Sequence, residues 1–377
     1  MDLFPIVFLL YNILILTRMV WNPFKSASKN FLGIDIGTTA IKVIELSKRG
    51  DRIKLENYGE ALAQTLYEKP FRTIDKNTLL FSSHEIAKAL LAIFEEAKII
   101  EKRSVFSIPD FGSFFIDFSL PPMTKEELPE AIKYEAKQYI PMPLSEVTLD
   151  WSIIGGEMGK GRQKSTPLKI LMVAVPTEII NQYQEIASLA GIKLQAIEAE
   201  AFGLLRSLIR NDKRVICIID IGAQSTTINI IDNGILKKSH SFDISGGELT
   251  QLVAKSLNVD FDAAERLKRE MGLGEGGQDI KKILLPLVDY IIAEADKILR
   301  AFLQQEGKEP EKIILAGGSA QLPGLKKYFL ETFKKEIEVA NPFADIFYPP
   351  VLEETLKQMG SSYAIAVGMA LRGLELN

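Results

Sequence analysis

Apolar positions along this chain alternate between two patterns. Short runs such as Phe31-Leu32-Gly33-Ile34 and Val215-Ile216-Cys217-Ile218 read as buried strands, and longer stretches with apolar residues at helical spacing read as helices. The two runs lead into the same four residues, Ile34-Asp35-Ile36-Gly37 and Ile219-Asp220-Ile221-Gly222. After each comes a Thr/Ser-bearing turn (Thr38-Thr39; Gln224-Ser225-Thr226) and a second strand pattern, Ile41–Leu46 or Thr227–Ile231. Turn signals at Lys48-Arg49-Gly50-Asp51 and Asp232-Asn233-Gly234 lead to third strands near Ile53–Tyr58 and Ile235–Phe242, Asn-Gly being the stronger hairpin signal. Each half then enters an amphipathic helix, His84–Lys98 or Glu248–Leu257, and closes on a small-residue-rich helix, Ala199–Ile209 or Tyr363–Leu374. The same order of elements around both copies predicts a duplicated α/β unit.

Material inserted into each half follows its own pattern. Phe114–Leu120 reads as a strand. Lys125–Ile140 reads as a helix, with Pro129 tolerated in its first turn and Pro141 and Pro143 stopping it. Val147–Ile154 and Leu168–Val175 read as a hairpin around the Gly-rich tip Gly155–Gln163, followed by a helix at Glu178–Ala190 and a strand at Ile192–Ile197. The expected organisation is a leader at 1–29, half I at 30–113, a small α+β module at 114–197, the closing helix of half I at 198–214, and half II at 215–377 with a helical insertion near 260–309.

Composition changes this picture little. The chain has 377 residues, 47% apolar and 25% charged, ample for more than one core. Its formal net charge of −4 argues against nucleic acid as a main partner. Cys217 is the one cysteine, set in the apolar run Val215–Ile219, so a disulfide framework is impossible and a reducing, cytoplasmic setting is expected. Leu3–Thr17 is apolar but shorter than the ~20 residues of a membrane span. Three readings stay open for it: a mis-called leader ahead of a start at Met19, a membrane-peripheral anchor, or a true span. Nothing downstream suits an oxidising exterior, so an export signal is not expected.

The repeated Asp-Ile-Gly turns carry the chemistry. A strand ending in Asp-x-Gly-Thr makes a hairpin whose N–H groups can face an anion, with glycine where the backbone must approach phosphate. Thr38 and Thr39 add hydroxyl donors. Asp35 and Asp220, at the ends of two facing strands, can hold a hydrated Mg2+ between them, since magnesium keeps most of its waters. Gly246 and Gly247 precede a helix, so their amides are expected to meet phosphate at its N-terminus. Ala316-Gly317-Gly318-Ser319 follows the strand Ile313–Leu315 and offers a flat backbone surface for a ring or ribose. Three decoys fail on context. Gly272-x-Gly274-x-x-Gly277 follows a helix rather than a strand, Gly155–Lys160 lacks the spacing of a phosphate loop, and His84 and His240 have no partner ligand nearby.

With these residues in place the chain resembles the actin/sugar-kinase/heat-shock-chaperone ATPase superfamily. Within it, the chain resembles the PilM family of type IV pilus assembly proteins. The carrying segments are Phe31–Leu46, Leu120–Met123, Tyr134–Pro143 and Asp220–Thr226. The resemblance implies a duplicated actin-like, ribonuclease-H-like ATPase fold of α/β class with an inserted SHS2-type α+β module. It implies ATP and Mg2+ as cofactors, with Asp35 and Asp220 on the magnesium side. Phosphate contacts would come from Gly37, Thr38, Thr39, Gly222 and Ala223, with Lys42 and Gln224 completing the two loops. Gly246 and Gly247 would border ribose and phosphates, Glu265 and Lys268 would contact adenosine, and Gly317, Gly318 and Ser319 would flank adenine. Glu200 would orient the attacking water, making Glu200, Asp35 and Asp220 the catalytic candidates.

The implied function is an ATP-binding adaptor at the cytoplasmic face of the inner membrane, with at most slow hydrolysis, binding the cytoplasmic N-terminal peptide of PilN through the inserted module. Self-association is left open. Two alternatives stand beside it. An FtsA-like division anchor would carry a C-terminal membrane helix after a linker, and the chain stops directly after its last helix. A small-molecule kinase would need a catalytic acid in half I, for which Asp110 is the one candidate.

Overall fold

The computed structural model describes residues 29–63, 70–75, 78–156 and 166–376. The apolar leader and most of the Gly-rich tip lie outside the described residues. Half I opens with β1 (Lys29–Ile36), β2 (Ala40–Arg49) and β3 (Arg52–Leu62), then a hairpin of β4 (Arg72–Asp75) and β5 (Thr78–Phe81) that the apolar pattern did not indicate. Next come α1 (Ser83–Glu96) and β6 (Arg103–Ile108). The inserted region holds β7 (Phe114–Leu120), α2 (Leu128–Tyr139), β8 (Val147–Gly155) and β9 (Leu168–Pro176). The chain returns through α3 (Thr177–Leu189), β10 (Lys193–Ala199) and α4 (Glu200–Leu208). Half II comprises β11 (Ile216–Ile221), β12 (Thr226–Asp232), β13 (Ile235–Phe242), α5 (Gly246–Leu257), α6 (Phe261–Met271), α7 (Gln278–Glu306), β14 (Lys312–Ala316), α8 (Leu325–Phe333), β15 (Glu336–Val339) and α9 (Glu353–Glu375).

The two large sheets are the same sheet built twice. Their orders are β3-β2-β1-β6-β10 and β13-β12-β11-β14-β15. In each, three antiparallel strands are followed by two parallel ones. The strand β11 shows why its sequence is apolar throughout: Cys217, Ile219 and Ile221 enter the core under α5 and α7, while Ile216 and Ile218 face α4 and α9. A strand covered on both faces carries no polar alternation.

The closing helices join the halves. α9 ends half II, yet it packs across β1, β2 and β6 of half I and against α4. Backbone approaches backbone here. A Cβ on Gly33 would overlap the Ala366 carbonyl oxygen and the Ala370 nitrogen, and one on Gly368 would overlap the Gly203 carbonyl. α9 begins ten positions before the expected Tyr363 because Glu353–Ser362 buries little besides Leu356, Gly360 and Ser361.

The inserted module is smaller than expected. A three-stranded sheet, β7-β9-β8, packs under Leu128, Ile132 and Ala136 of α2. The boundary placed at 197 took in α3 and β10, but β10 pairs with β6 in the first large sheet and α3 buries Ile179, Tyr183 and Ile186 in the core of half I. The helix expected from Lys125 starts at Leu128, because the Glu127 carboxylate instead accepts the Thr124 N–H at 2.8 Å and closes a turn there. In half II the region near 260–309 is indeed helical, but α7 is the main cover of the sheet, burying Leu284, Val288, Ile291 and Phe302 on it.

Candidate functional site

β1 and β11 each carry an aspartate one residue before the strand ends, so each sheet delivers a carboxylate followed by a tight hairpin. In the first hairpin the Gly37 N–H donates to the Ala40 carbonyl at 2.9 Å, and in the second the Gly222 N–H donates to that of Ser225 at 3.0 Å. The two loops are equivalent, and they meet across the cleft, where the Thr38 hydroxyl donates to the Gln224 amide oxygen at 2.9 Å. Thr39 is exposed beside Thr38, and Ala223 is half-buried beside Gln224.

Each aspartate is set in its own surroundings. Asp35 is buried and accepts the Ser107 hydroxyl at 2.8 Å, Ser107 lying near the end of the parallel neighbour β6. Lys42 stands directly opposite Asp35 in the β1–β2 register, its ammonium 5.9 Å from the centroid of the Tyr363 ring. Asp220 stands opposite Thr227 on β12, whose hydroxyl lies 2.9 Å from that of Ser241. A Cβ on Gly317 would sit 2.5 Å from Asp220 Oδ1 and from the Ile221 carbonyl oxygen, and its φ is +86°. Only glycine fits where β14 ends against that carboxylate. Gly318 is exposed, and a Cβ there would meet nothing within 4 Å. Buried Ser319 donates its N–H to the Ile221 carbonyl at 3.4 Å. Of the two glycines, Gly317 is thus packed against the second loop and Gly318 is open.

Two sets of expected ligand contacts are groups that already have partners within the chain. The Gly246 and Gly247 amides were expected to face phosphate. They donate instead to the loop carbonyls of Gly222 at 2.8 Å and Ala223 at 3.1 Å, while the N–H of Glu248 goes to the N-cap Ser245 hydroxyl. Every N–H of the first turn of α5 is thus taken, and the helix braces the second loop from behind. Lys268 was expected to contact adenosine. Its ammonium donates to the Gly246 carbonyl at 2.9 Å and to Thr250 Oγ1 at 2.8 Å and pairs with Glu265 at 2.7 Å, with the side chain 5% exposed. Three protons have three partners. Burial pushes Lys268 down, partly offset by Glu265. Burial pushes Glu265 up, but the charge of Lys268 with hydrogen bonds from Lys268, Thr250 and Arg269 outweighs it and holds the carboxyl below its ordinary value.

Glu200 opens α4 and is buried, accepting the Asp110 N–H at 3.3 Å, while the Asp110 carboxylate accepts the Ala201 N–H at 3.1 Å. The two carboxylates cap each other's backbone. Asp110 is thereby placed as a helix cap, and the sequence offered no signal for that, since the residues lie far apart along the chain. Ser107 was equally missed, although a hydroxyl at the end of an apolar strand beside β1 is a usable hint. Among the described residues no group of three or more His, Cys, Asp or Glu side chains could ligate a metal directly, and no helix is long and apolar enough to cross a membrane.

The chain is 20% identical to the cell division protein FtsA of Staphylococcus epidermidis (strain ATCC 35984) over 89% of its own length and 79% of that protein's. Among solved structures it is similar to the PilM-PilN type IV pilus biogenesis complex, with a TM-score of 0.77, 25% identity, and coverage of 91% of this chain and 98% of that one. It is also similar to MreB 5 of Spiroplasma citri bound to AMPPNP, with a TM-score of 0.52, 14% identity, and coverage of 92% and 97%. The duplicated sheets with closing helices crossed between halves are thus the actin-like fold. The model of the type IV pilus assembly protein PilM matches residues 33–374, which takes in both Asp-Ile-Gly loops, the inserted module and α9, so the chain belongs to the PilM family.

Proposed function

We propose that this pilus assembly protein is a nucleotide-controlled adaptor of the inner-membrane assembly platform, working at the cytoplasmic face of the membrane and capturing the N-terminal peptide of a PilN-like protein through its inserted module. The observation that carries the nucleotide half of this reading is the pair of equivalent loops bonded to each other by Thr38 and Gln224, each with a buried aspartate at its root. Mg-ATP would lie between them. Gly37, Thr38, Thr39, Gly222, Ala223 and Gln224 would face the phosphates with Lys42, and Gly317, Gly318 and Ser319 would border the base. The bound Mg2+ would neutralise phosphate charge, and Asp35 and Asp220 suit it through water because two carboxylates make a hydration-shell pair rather than a cage. Gly246, Gly247, Glu265 and Lys268 act from behind by fixing the second loop. Glu200, steadied by the Asp110 N–H, would orient a water for slow hydrolysis. Phosphate contacts from both halves favour a closed cleft, so turnover is secondary to closure.

The partner half rests on family membership and on a module with its own core. The test is a titration of a labelled peptide copied from the N-terminus of the same genome's PilN-like protein, with and without Mg-ATP. Micromolar or tighter binding, ~8 kcal/mol or more, is expected. No binding in either state, with nucleotide affinity intact, overturns the adaptor reading in favour of a division anchor. A kinase is disfavoured because Asp110, its one candidate acid, serves as the cap of α4.

Asp220→Asn keeps the shape and removes the charge. Its affinity for Mg-ATP is expected to fall about tenfold or more, ~1.4 kcal/mol, while its affinity for ATP in EDTA stays within about twofold. Equal losses in both conditions, measured by calorimetry, would separate Asp220 from the metal.

A further inference from the structure

We propose that the inserted module is clamped across both halves and that β13 transmits the state of the cleft to it. The proposal rests on the adaptor reading for its consequence, and on contacts alone for the clamp. The chain enters and leaves the module from half I, and Val173 and Val175 of β9 end in that half's core. The opposite end of the module grips half II. Lys169 of β9 pairs at 2.6 Å with Glu306, the last residue of α7. Lys237 of β13 donates to the Ile154 carbonyl at the end of β8, and Lys238 lies 3.8 Å from Asp117 of β7. Ile154 and Leu171 share a core with Ile231 and Leu236, flanked by Phe115 and Phe202. A pocket of about 20 Å³, room for a single water, lies at this junction beside Ile154, Leu171, Phe202 and Leu236.

β13 connects this clamp to the cleft. Its start, Ile235–Lys238, touches the module, and its end, Phe242, pairs with Thr226, the first residue after the second loop. Beyond it, Ser245 caps α5, whose Gly246 and Gly247 hold the loop carbonyls. A phosphate drawing on residues 222–224 therefore pulls β12, β13 and the clamp as one piece, while β9 stays rooted in half I. Rotation of the halves then strains the module, which is held by both, and changes the surface it offers a peptide. Packed side chains and rigid secondary elements can carry such coupling, and both run from the second loop to the module here.

The junction holds Lys169, Lys237, Lys238 and Lys308 against Asp117, Asp232 and Glu306, so its net charge is 4 − 3 = +1. Glu306→Lys makes it 5 − 2 = +3, and K169E/E306K returns it to 4 − 3 = +1 with the pair reversed. The test uses the full chain with spin labels at Tyr134→Cys on the module and Arg300→Cys on α7. Cys217 stays unlabelled because it is buried, its thiol pushed up to about 12. The distance distribution is expected to be narrow in the parent, broad in Glu306→Lys and narrow again in the swap; an unchanged distribution in Glu306→Lys overturns the clamp without reference to any ligand. In parallel, the ratio of peptide Kd with and without Mg-ATP is expected to be threefold or more in the parent and in the swap, and close to one in Glu306→Lys. A parent ratio of one, with both ligands binding, overturns the transmission. Failure of either ligand to bind the parent instead counts against the adaptor reading.

Discussion

A Gly33→Ala chain is expected to lose more than about 3 kcal/mol of stability, and Gly33→Val to fail to accumulate as folded protein. The reason is what a Cβ would meet at this position. It would overlap the Ala366 carbonyl oxygen and the Ala370 nitrogen, both backbone atoms inside α9. A helix backbone cannot swing aside as a side-chain tip can, so α9 must lift off β1. Lifting it opens a core in which Phe31, Ile44, Tyr363, Val367 and Ala370 pack together. Because α9 is the end of half II seated on the sheet of half I, the loss falls on the joint between halves as well as on one helix. Gly276→Ala is the control, since a Cβ there meets nothing within 4 Å and its φ is not left-handed, so a change within about 0.5 kcal/mol is expected. Urea unfolding reads both. Matching midpoints for Gly33→Ala and the parent would show that α9 can shift at little cost and that the crossing is not a fixed joint.

The duplication was legible because strand and turn chemistry are local. Asp-Ile-Gly at the end of an apolar run, repeated with its following hairpins, is enough to specify two equivalent sheets. What local pattern could not carry was where a later segment returns. Nothing in Lys193–Ala199 says that it pairs with Arg103–Ile108 across the whole module, so the module boundary came out too far along the chain. The paired loops and their aspartates were likewise visible, while Ser107 behind Asp35 and the reciprocal Asp110–Glu200 caps depend on contacts between distant segments. The glycines before α5 were read as anion-facing for a sound reason, the free N–H groups of a helix start. The fold had already assigned those groups to the carbonyls of the loop in front.

Lys268→Met is expected to cost about 3 kcal/mol of stability in the absence of any nucleotide. Methionine matches the length of the stem, so the loss falls on the ammonium. Without it the Gly246 carbonyl and Thr250 lose a donor, and Glu265 keeps as its ionic partner only Arg269, whose side chain is largely exposed. The acid limb gives a second reading. Glu265 is held below its ordinary value of 4.5 in the folded chain. A depressed carboxyl contributes stability that is fully present above the unfolded value and is lost as pH falls through the folded one. In Lys268→Met the principal cause of that depression is gone, so less of this stability remains to lose. The gap between parent and variant is therefore expected to be widest near neutral pH and to narrow below about pH 4. Loosening of the second loop then weakens Mg-ATP binding as a consequence, in proportion to the stability lost. A variant as stable as the parent at pH 7 but deficient in ATP binding would reverse the order of cause. It would return Lys268 to the ligand and make its three protein partners a resting arrangement that nucleotide displaces.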